Sequence, residues 1–156
     1  MLRPEAGTTA DPLLALANYR SELGAWCDAS PETLALATSP TPDYDDRVDH
    51  LRRFMGELYD AGWSRYGWPT GVGGLGGTII HRATMWEVLA TRGVPGMALF
   101  EHLEVLAPTL VHHGPTDFIA QVLPDFLSVR KVWSQGFSEP GSGSDLASVR
   151  TTATTV

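Results

Sequence analysis

The residues best suited to chemistry gather in one stretch near the end of the chain, SQGFSEPGSGSD at 134–145. Within it, Gly141-Ser142-Gly143-Ser144 pairs flexible backbone with hydroxyl groups. Successive glycines let backbone amides turn toward an anion, and serines add donors, so the loop could cradle a pyrophosphate. The same composition also describes a flexible hairpin turn. No Gly-Lys-Ser/Thr follows, so this is not a P-loop, and the Gly-x-Ser-x-Gly spacing of a hydrolase elbow is absent. Glu139 and Asp145 could work as an acid–base pair. A glutamate before a proline in an exposed loop reads first as a positioning or solvated carboxylate, and Asp145 as an anchor of the turn through nearby amides.

Other candidates are weaker. His112 and His113 are neighbours, so on a helix they point about 100° apart and cannot share a metal. His81 and His102 have no partner at ligand spacing, and no zinc, calcium or nucleophile-triad pattern occurs. Gly71, Gly73 and Gly76 match Gly-x-Gly-x-x-Gly. A dinucleotide fingerprint needs a strand before it and a helix after it. Here a helix and a Trp-Pro loop come first, which reads as a tight helix–helix connection. Trp133 lies just before the serine loop and could face a planar ligand. Like Trp63, Trp68, Trp86, Tyr66 and Phe100, it reads first as a packing aromatic.

The elements that must position the loop are mostly helical. Residues 1–10 read as a disordered tail. Asp11-Pro12 reads as N-cap and first helical position, with Leu13, Leu16, Ala17, Leu23 and Cys27 as an apolar stripe to about Asp28. Ser30-Pro31 and Ser39-Pro40-Thr41-Pro42 are breakers with irregular or one-turn structure between them. Asp43 to Asp46 places acid at a helix start, and Val48, Leu51, Met55, Leu58 and Tyr59 follow on one face until Gly62 ends it. After a loop with seven glycines, Thr78 caps a third helix over 79–91. A fourth helix covers about 96–112, bent or shifted by Pro108. A fifth starts at Thr116 or Asp117 and is broken in two by Pro124.

Past residue 130 the pattern changes. RKVWSQGF alternates weakly like a strand, and VRTTATTV is rich in β-branched residues. A β segment of some 25 residues cannot hide its own face. The fold class expected is therefore mainly α: a helical domain over 11–130, then 131–156 as first strands of an incomplete β domain whose remainder lies outside this chain.

Bulk properties narrow the function. A length of 156 residues suits one domain with a sizeable core. A net charge of −7, with Lys131 the single lysine, argues against a nucleic-acid partner. Cys27 is the sole cysteine, which excludes an internal disulfide and fits a reducing, cytoplasmic setting. No apolar run approaches a membrane span, and the first residues lack the apolar core of a signal peptide.

Gly136 to Asp145, GFSEPGSGSD, followed by Ser148, resembles the signature of the acyl-CoA dehydrogenase family. GWPTGVGGLGGT, HGPTDFIAQVLPDFLSV and KVWSQGFSEP resemble further family segments, so the likeness covers most of 11–156. It implies an N-terminal helical domain, a middle β-barrel and a C-terminal bundle, with FAD held between the last two. It also implies removal of the pro-R α-proton and a β-hydride from an acyl-CoA, leaving a trans-2-enoyl-CoA, with electrons passed to an electron-transferring flavoprotein. By the same resemblance Gln135, Phe137 and Ser138 touch the flavin ring, Gly143 and Ser144 contact the FAD diphosphate, and Ser144 lies where acyl-CoA passes. Ser142 stands where the family more often has alanine, with little consequence expected.

The family's catalytic base is a carboxylate of the C-terminal bundle, and no residue here corresponds to it. The resemblance thus implies no catalytic residue in this chain and no activity from it alone. It also implies the missing domains or a complementary subunit as partner, in a homo- or hetero-oligomer. The alternative is a non-catalytic helical interaction module, or a partner subunit of a split flavoprotein, pairing through an unsatisfied strand edge.

Overall fold

The computed structural model describes residues 12–95, 101–133, 136, 138–152 and 154. Among the described residues six α-helices follow one another: α1 (Pro12–Ala29), α2 (Pro31–Thr38), α3 (Tyr44–Asp60), α4 (Ile79–Ala90), α5 (Ala107–His113) and α6 (Thr116–Leu127). A π-helical segment, Glu101–Leu106, runs directly into α5. Single turns of 3-10 helix occur at Trp63–Arg65, Thr70–Val72 and Leu146–Ser148. Among the described residues there is no strand, only the isolated antiparallel bridges Trp68–Gly76 and Glu139–Ser142.

Local chemistry accounts for most helix ends. Asp43 caps α3, its carboxylate accepting from the amides of Asp45 (2.8 Å) and Asp46 (3.1 Å). Thr78 caps α4 through Ile80 N–H, while the His81 ring accepts from the Thr78 amide, an imidazole standing in the usual Glu/Gln position of a capping box. The segment between the proline breakers is longer than expected: α2 makes two turns from a proline at its first position.

Pro124 does not break α6, which continues to Leu127. Its fully buried neighbours Leu123, Phe126 and Leu127 are held by packing, which outweighs one lost backbone bond. Pro108 has no amide to offer the carbonyl of Glu104, and the helix around this point is π-wound before it becomes α-helical at Ala107.

The core is centred on Leu23, Cys27, Phe54, Met55, Leu58, Leu89, Leu123, Phe126, Leu127 and Val129, each at most 1% exposed, and Ala37 of α2 and Ala107 of α5 are buried with them. Each large side chain so buried contributes roughly 1.5–3 kcal/mol. Helix α1 packs on α4 and α2, α2 on α3, and α6 on α5 and the 70–72 turn. The buried stripe of α1 is Tyr19, Leu23 and Cys27, spaced by four, while Leu13 and Ala17 of the expected stripe are exposed. Ion pairs reinforce two seams: Arg20 forks onto Glu87 (2.8 and 2.6 Å) and Arg92 onto Asp28 (3.0 and 2.9 Å), both joining α1 to the α4 end.

The glycine-rich connection closes on itself. Gly67 N–H donates to Gly76 C=O (2.6 Å) and Gly76 N–H to Trp68 C=O (2.9 Å). At Gly74 a Cβ would stand 2.2 Å from the Trp68 carbonyl oxygen, so the close crossing of backbones demands glycine there. The loop lies between α3 and α4 with no strand before it. The Gly71, Gly73, Gly76 pattern is thus a helix–helix connection.

Candidate functional site

The serine loop starts where α6 ends. Ser128 caps α6, and its hydroxyl donates to the Pro124 carbonyl at 2.8 Å. Val129 then adopts φ 56° with its side chain fully buried. A β-branched residue in the left-handed region carries about 1–3 kcal/mol of strain. Val129 N–H reaches back to Phe126 C=O (3.1 Å) and Lys131 N–H to Asp125 C=O (3.1 Å), turning the chain sharply off the helix. Lys131 Nζ pairs with the Asp125 carboxylate at 2.7 Å, which holds that carboxyl below its usual range.

Trp133 rests edge-on against Phe126 (5.5 Å between centroids) and is 37% exposed. His102, from the π-helical segment, stacks flat on the other side chain of this pair, Phe126, at 3.8 Å and 6°. Its Nε2 lies 2.9 Å from the Phe126 carbonyl and its Nδ1 accepts from the Trp133 amide at 3.4 Å. A carbonyl can only accept, so Nε2 carries the proton and the ring is neutral. Desolvation by burial holds the His102 pKa below the ordinary value.

The loop itself is built by its own polar groups. Glu139 and Ser142 exchange both backbone bonds (2.9 and 3.0 Å) around Pro140-Gly141. The Glu139 carboxylate accepts from the amides of Arg150 (3.1 and 3.0 Å) and Thr151 (2.6 Å) and from the Thr151 hydroxyl. The Thr151 hydroxyl and these amides lower its pKa. A carboxylate so occupied is a poor base; Glu139 ties the two ends of the loop together.

Ser142 is buried, and its hydroxyl donates to the Asp145 carbonyl (2.6 Å) while accepting from the Ser148 hydroxyl (2.8 Å). These bonds give the Ser142 hydroxyl a structural part that an alanine would lack. Asp145 does anchor the turn, but through its backbone carbonyl, which also accepts from Ser148 N–H (3.2 Å). Among the described residues no hydrogen bond joins the Glu139 and Asp145 carboxyl groups.

Of the predicted site residues, Ser138, Gly143 and Ser144 are exposed on this loop. Gln135 and Phe137 lie outside the described residues. A Cβ added at Gly141 or Gly143 would meet nothing within 4 Å. Among the described residues, the amides of Gly143 and Ser144 and the hydroxyls of Ser138 and Ser144 have no hydrogen-bond partner. These open glycines and unused donors fit a phosphate or flavin edge approaching from outside. Sequence reasoning missed His102, whose isolated position gave no ligand spacing. Its only signal was proximity to Pro108.

The model of the acyl-CoA dehydrogenase N-terminal domain matches residues 35–130. The chain belongs to the acyl-CoA dehydrogenase family. Among acyl-CoA dehydrogenases, IpdE1 of Mycolicibacterium smegmatis is 37% identical over 108 residues, covering 69% of this chain and 28% of its own length. IpdE1 of Mycobacterium tuberculosis is 35% identical over 138 residues, covering 86% and 36%. The rat mitochondrial long-chain specific acyl-CoA dehydrogenase is 32% identical over 81 residues, covering 52% and 19%. The crystal structure of the ChsE4-ChsE5 complex from Mycobacterium tuberculosis superposes with a TM-score of 0.62 at 26% identity, over 95% of this chain and 36% of that one. This chain thus spans about a third or less of these acyl-CoA dehydrogenase relatives. Among the described residues no helix is long and apolar enough to cross a membrane, and no group of three or more His, Cys, Asp or Glu could hold a metal.

Proposed function

We propose that this chain is the N-terminal part of a FAD-dependent acyl-CoA dehydrogenase, carrying one edge of a flavin and acyl-CoA site that other elements complete. The observation that carries the reading is the pair Gly141 and Gly143, glycines for which the chain's own packing gives no steric reason. Bound FAD would supply the acceptor for a hydride from the β-carbon of an acyl-CoA thioester, giving a trans-2-enoyl-CoA. Ser138, with Gln135 and Phe137, would line the flavin ring. The Gly143 and Ser144 amides would donate to the diphosphate, and Ser144 would border the path of the acyl-CoA.

By itself the chain is inactive in this reading, because the family's catalytic carboxylate is supplied by a C-terminal bundle and no residue of this chain corresponds to it; Glu139, committed to Arg150 and Thr151, is not that base. The 131–156 segment opens the middle β domain and finds its strand partners there. The electron acceptor is an electron-transferring flavoprotein, and the setting is cytoplasmic. The two-component make-up of the ChsE4-ChsE5 complex favours a second form of the same reading, in which this chain is one subunit of a hetero-oligomer.

The test grafts residues 12–154 onto the remainder of the Mycolicibacterium smegmatis IpdE1 chain. The graft is expected to retain FAD and to reduce it with acyl-CoA thioesters, whereas this chain alone shows little change in flavin fluorescence at micromolar FAD. Gly143→Phe in the graft is expected to expel the cofactor. Tight stoichiometric FAD binding by the isolated chain, or unchanged retention in Gly143→Phe, refutes the assignment.

A further inference from the structure

We propose that His102 and Arg52 are positioning residues that clamp the exit of the helical body, 129–133, into one path and so aim the serine loop. The aiming rests on the flavin reading above; the clamp does not.

The exit is held residue by residue. Arg52 of α3 donates through Nε to the Val129 carbonyl (3.3 Å) and through an Nη to the Arg130 carbonyl (3.0 Å). The guanidinium presents its Nε and Nη donors in a fixed planar fork that matches two successive carbonyls, whereas an ammonium has no such fixed pair of directions. Arg130 pairs with Asp60, the last residue of α3, at 3.1 Å. Val129 keeps its left-handed backbone although valine disfavours it, which requires that its surroundings over-determine it.

His102 completes the clamp at its far end. One ring nitrogen grips the Phe126 carbonyl at the close of α6, and the other takes the Trp133 amide. The ring stacks on Phe126, against which Trp133 also packs. The imidazole therefore bridges the last helical turn and the residue where the chain departs. His102 reaches this place from the π-helical segment, a winding often found at functional positions. Two residues on, Glu104 leaves the same turn toward α4, so the segment is tied on both sides.

The experiment uses the full chain labelled with ¹⁵N. Long-range ¹⁵N–¹H spectra of the wild type are expected to show a neutral His102 protonated at Nε2; an Nδ1–H tautomer overturns the clamp. His102→Asn keeps an acceptor near the Nδ1 position, and His102→Gln keeps a donor near the Nε2 position. Trp133 amide exchange should quicken about tenfold in His102→Gln and change little in His102→Asn. Arg52→Lys should quicken exchange at Val129 and Lys131, whose amides donate to the Phe126 and Asp125 carbonyls. Amides of Leu58 and Leu89 report in each case that the core is kept.

Equal exchange at Trp133 in all three chains, or equal acceleration in both His102 variants, overturns the clamp. In the IpdE1 graft, His102→Gln should weaken FAD retention about tenfold, and His102→Asn should restore it. A graft that holds no flavin at all defeats the flavin reading while leaving the Trp133 result to decide the clamp. Unchanged retention in His102→Gln defeats the aiming.

Discussion

Arg82 of α4 lies 3.2 Å from Glu104 of the π-helical segment, with only 10% and 13% of the two side chains exposed. The Arg82 Nε–H points off the line to the carboxylate, so the pair is an ionic contact without a linear hydrogen bond. Trp86 Nε1–H satisfies the other carboxylate oxygen at 2.9 Å, and the guanidinium sits 4.2 Å over the Trp68 ring. Removing one member leaves an uncompensated charge inside. Glu104→Ala is expected to cost about 3 kcal/mol, or roughly 6–12 °C in melting temperature. The double variant Arg82→Met/Glu104→Leu should lose less than Glu104→Ala alone. A double variant worse than the sum of its parts would contradict this account.

His102 makes stability depend on pH in a defined direction. Its folded pKa lies below the ordinary 6.5 because burial disfavours the imidazolium. The unfolded chain therefore binds more protons in that window, so stability is full above about pH 6.5 and declines as pH falls below it. Urea unfolding at pH 7.5 and 5.5 should show a lower midpoint at the acid value. In His102→Asn most of that difference should vanish. Glu87, Asp125 and Glu139 also have lowered pKa values, but their contributions fade only at lower pH, below the ordinary 4.5 or 3.8.

Two glycines of one loop should behave oppositely. Gly74→Ala drives a methyl into the Trp68 carbonyl and is expected to destabilise by more than about 2 kcal/mol. Gly71→Ala meets open space and has no positive φ, so its effect should stay within about 0.5 kcal/mol. Thermal melts of the two variants separate a loop built for backbone contact from one that is merely flexible.

Ser142→Ala removes a buried hydroxyl that donates to the Asp145 carbonyl and accepts from Ser148. A loss of about 1 kcal/mol is expected locally, which is about fivefold in the open fraction of the loop. Limited proteolysis between 140 and 150 should quicken by about that factor while the global melt stays put. An unchanged cleavage rate would show that the hydroxyl holds nothing.

The helix caps were readable because they depend on neighbours in sequence: Asp43, Thr78 and Gly62 each act within a few residues. Pro124 misled because its cost is local while the packing of Leu123, Phe126 and Leu127 that overrides it is not. The α1 stripe was misjudged for a related reason, since leucine and alanine at 13 and 17 are apolar without being inward. Ser142 looked incidental until the turn brought Asp145 and Ser148 against it.

From its residues alone the chain was determined to be mainly helical, to end its helices near 130, and to carry at 136–145 a string that resembles the acyl-CoA dehydrogenase signature. Those properties follow from short-range periodicity, from backbone freedom and from a contiguous string of residue types. The tertiary structure alone decided that His102 and Arg82 are buried and Glu104 half-buried beside Arg82, that Val129 is left-handed, and that the Glu139 carboxylate ties the two ends of a loop. Burying a polar group is tolerable only where a partner from a distant part of the chain meets it, and that meeting is settled by how helices pack, which no local pattern encodes.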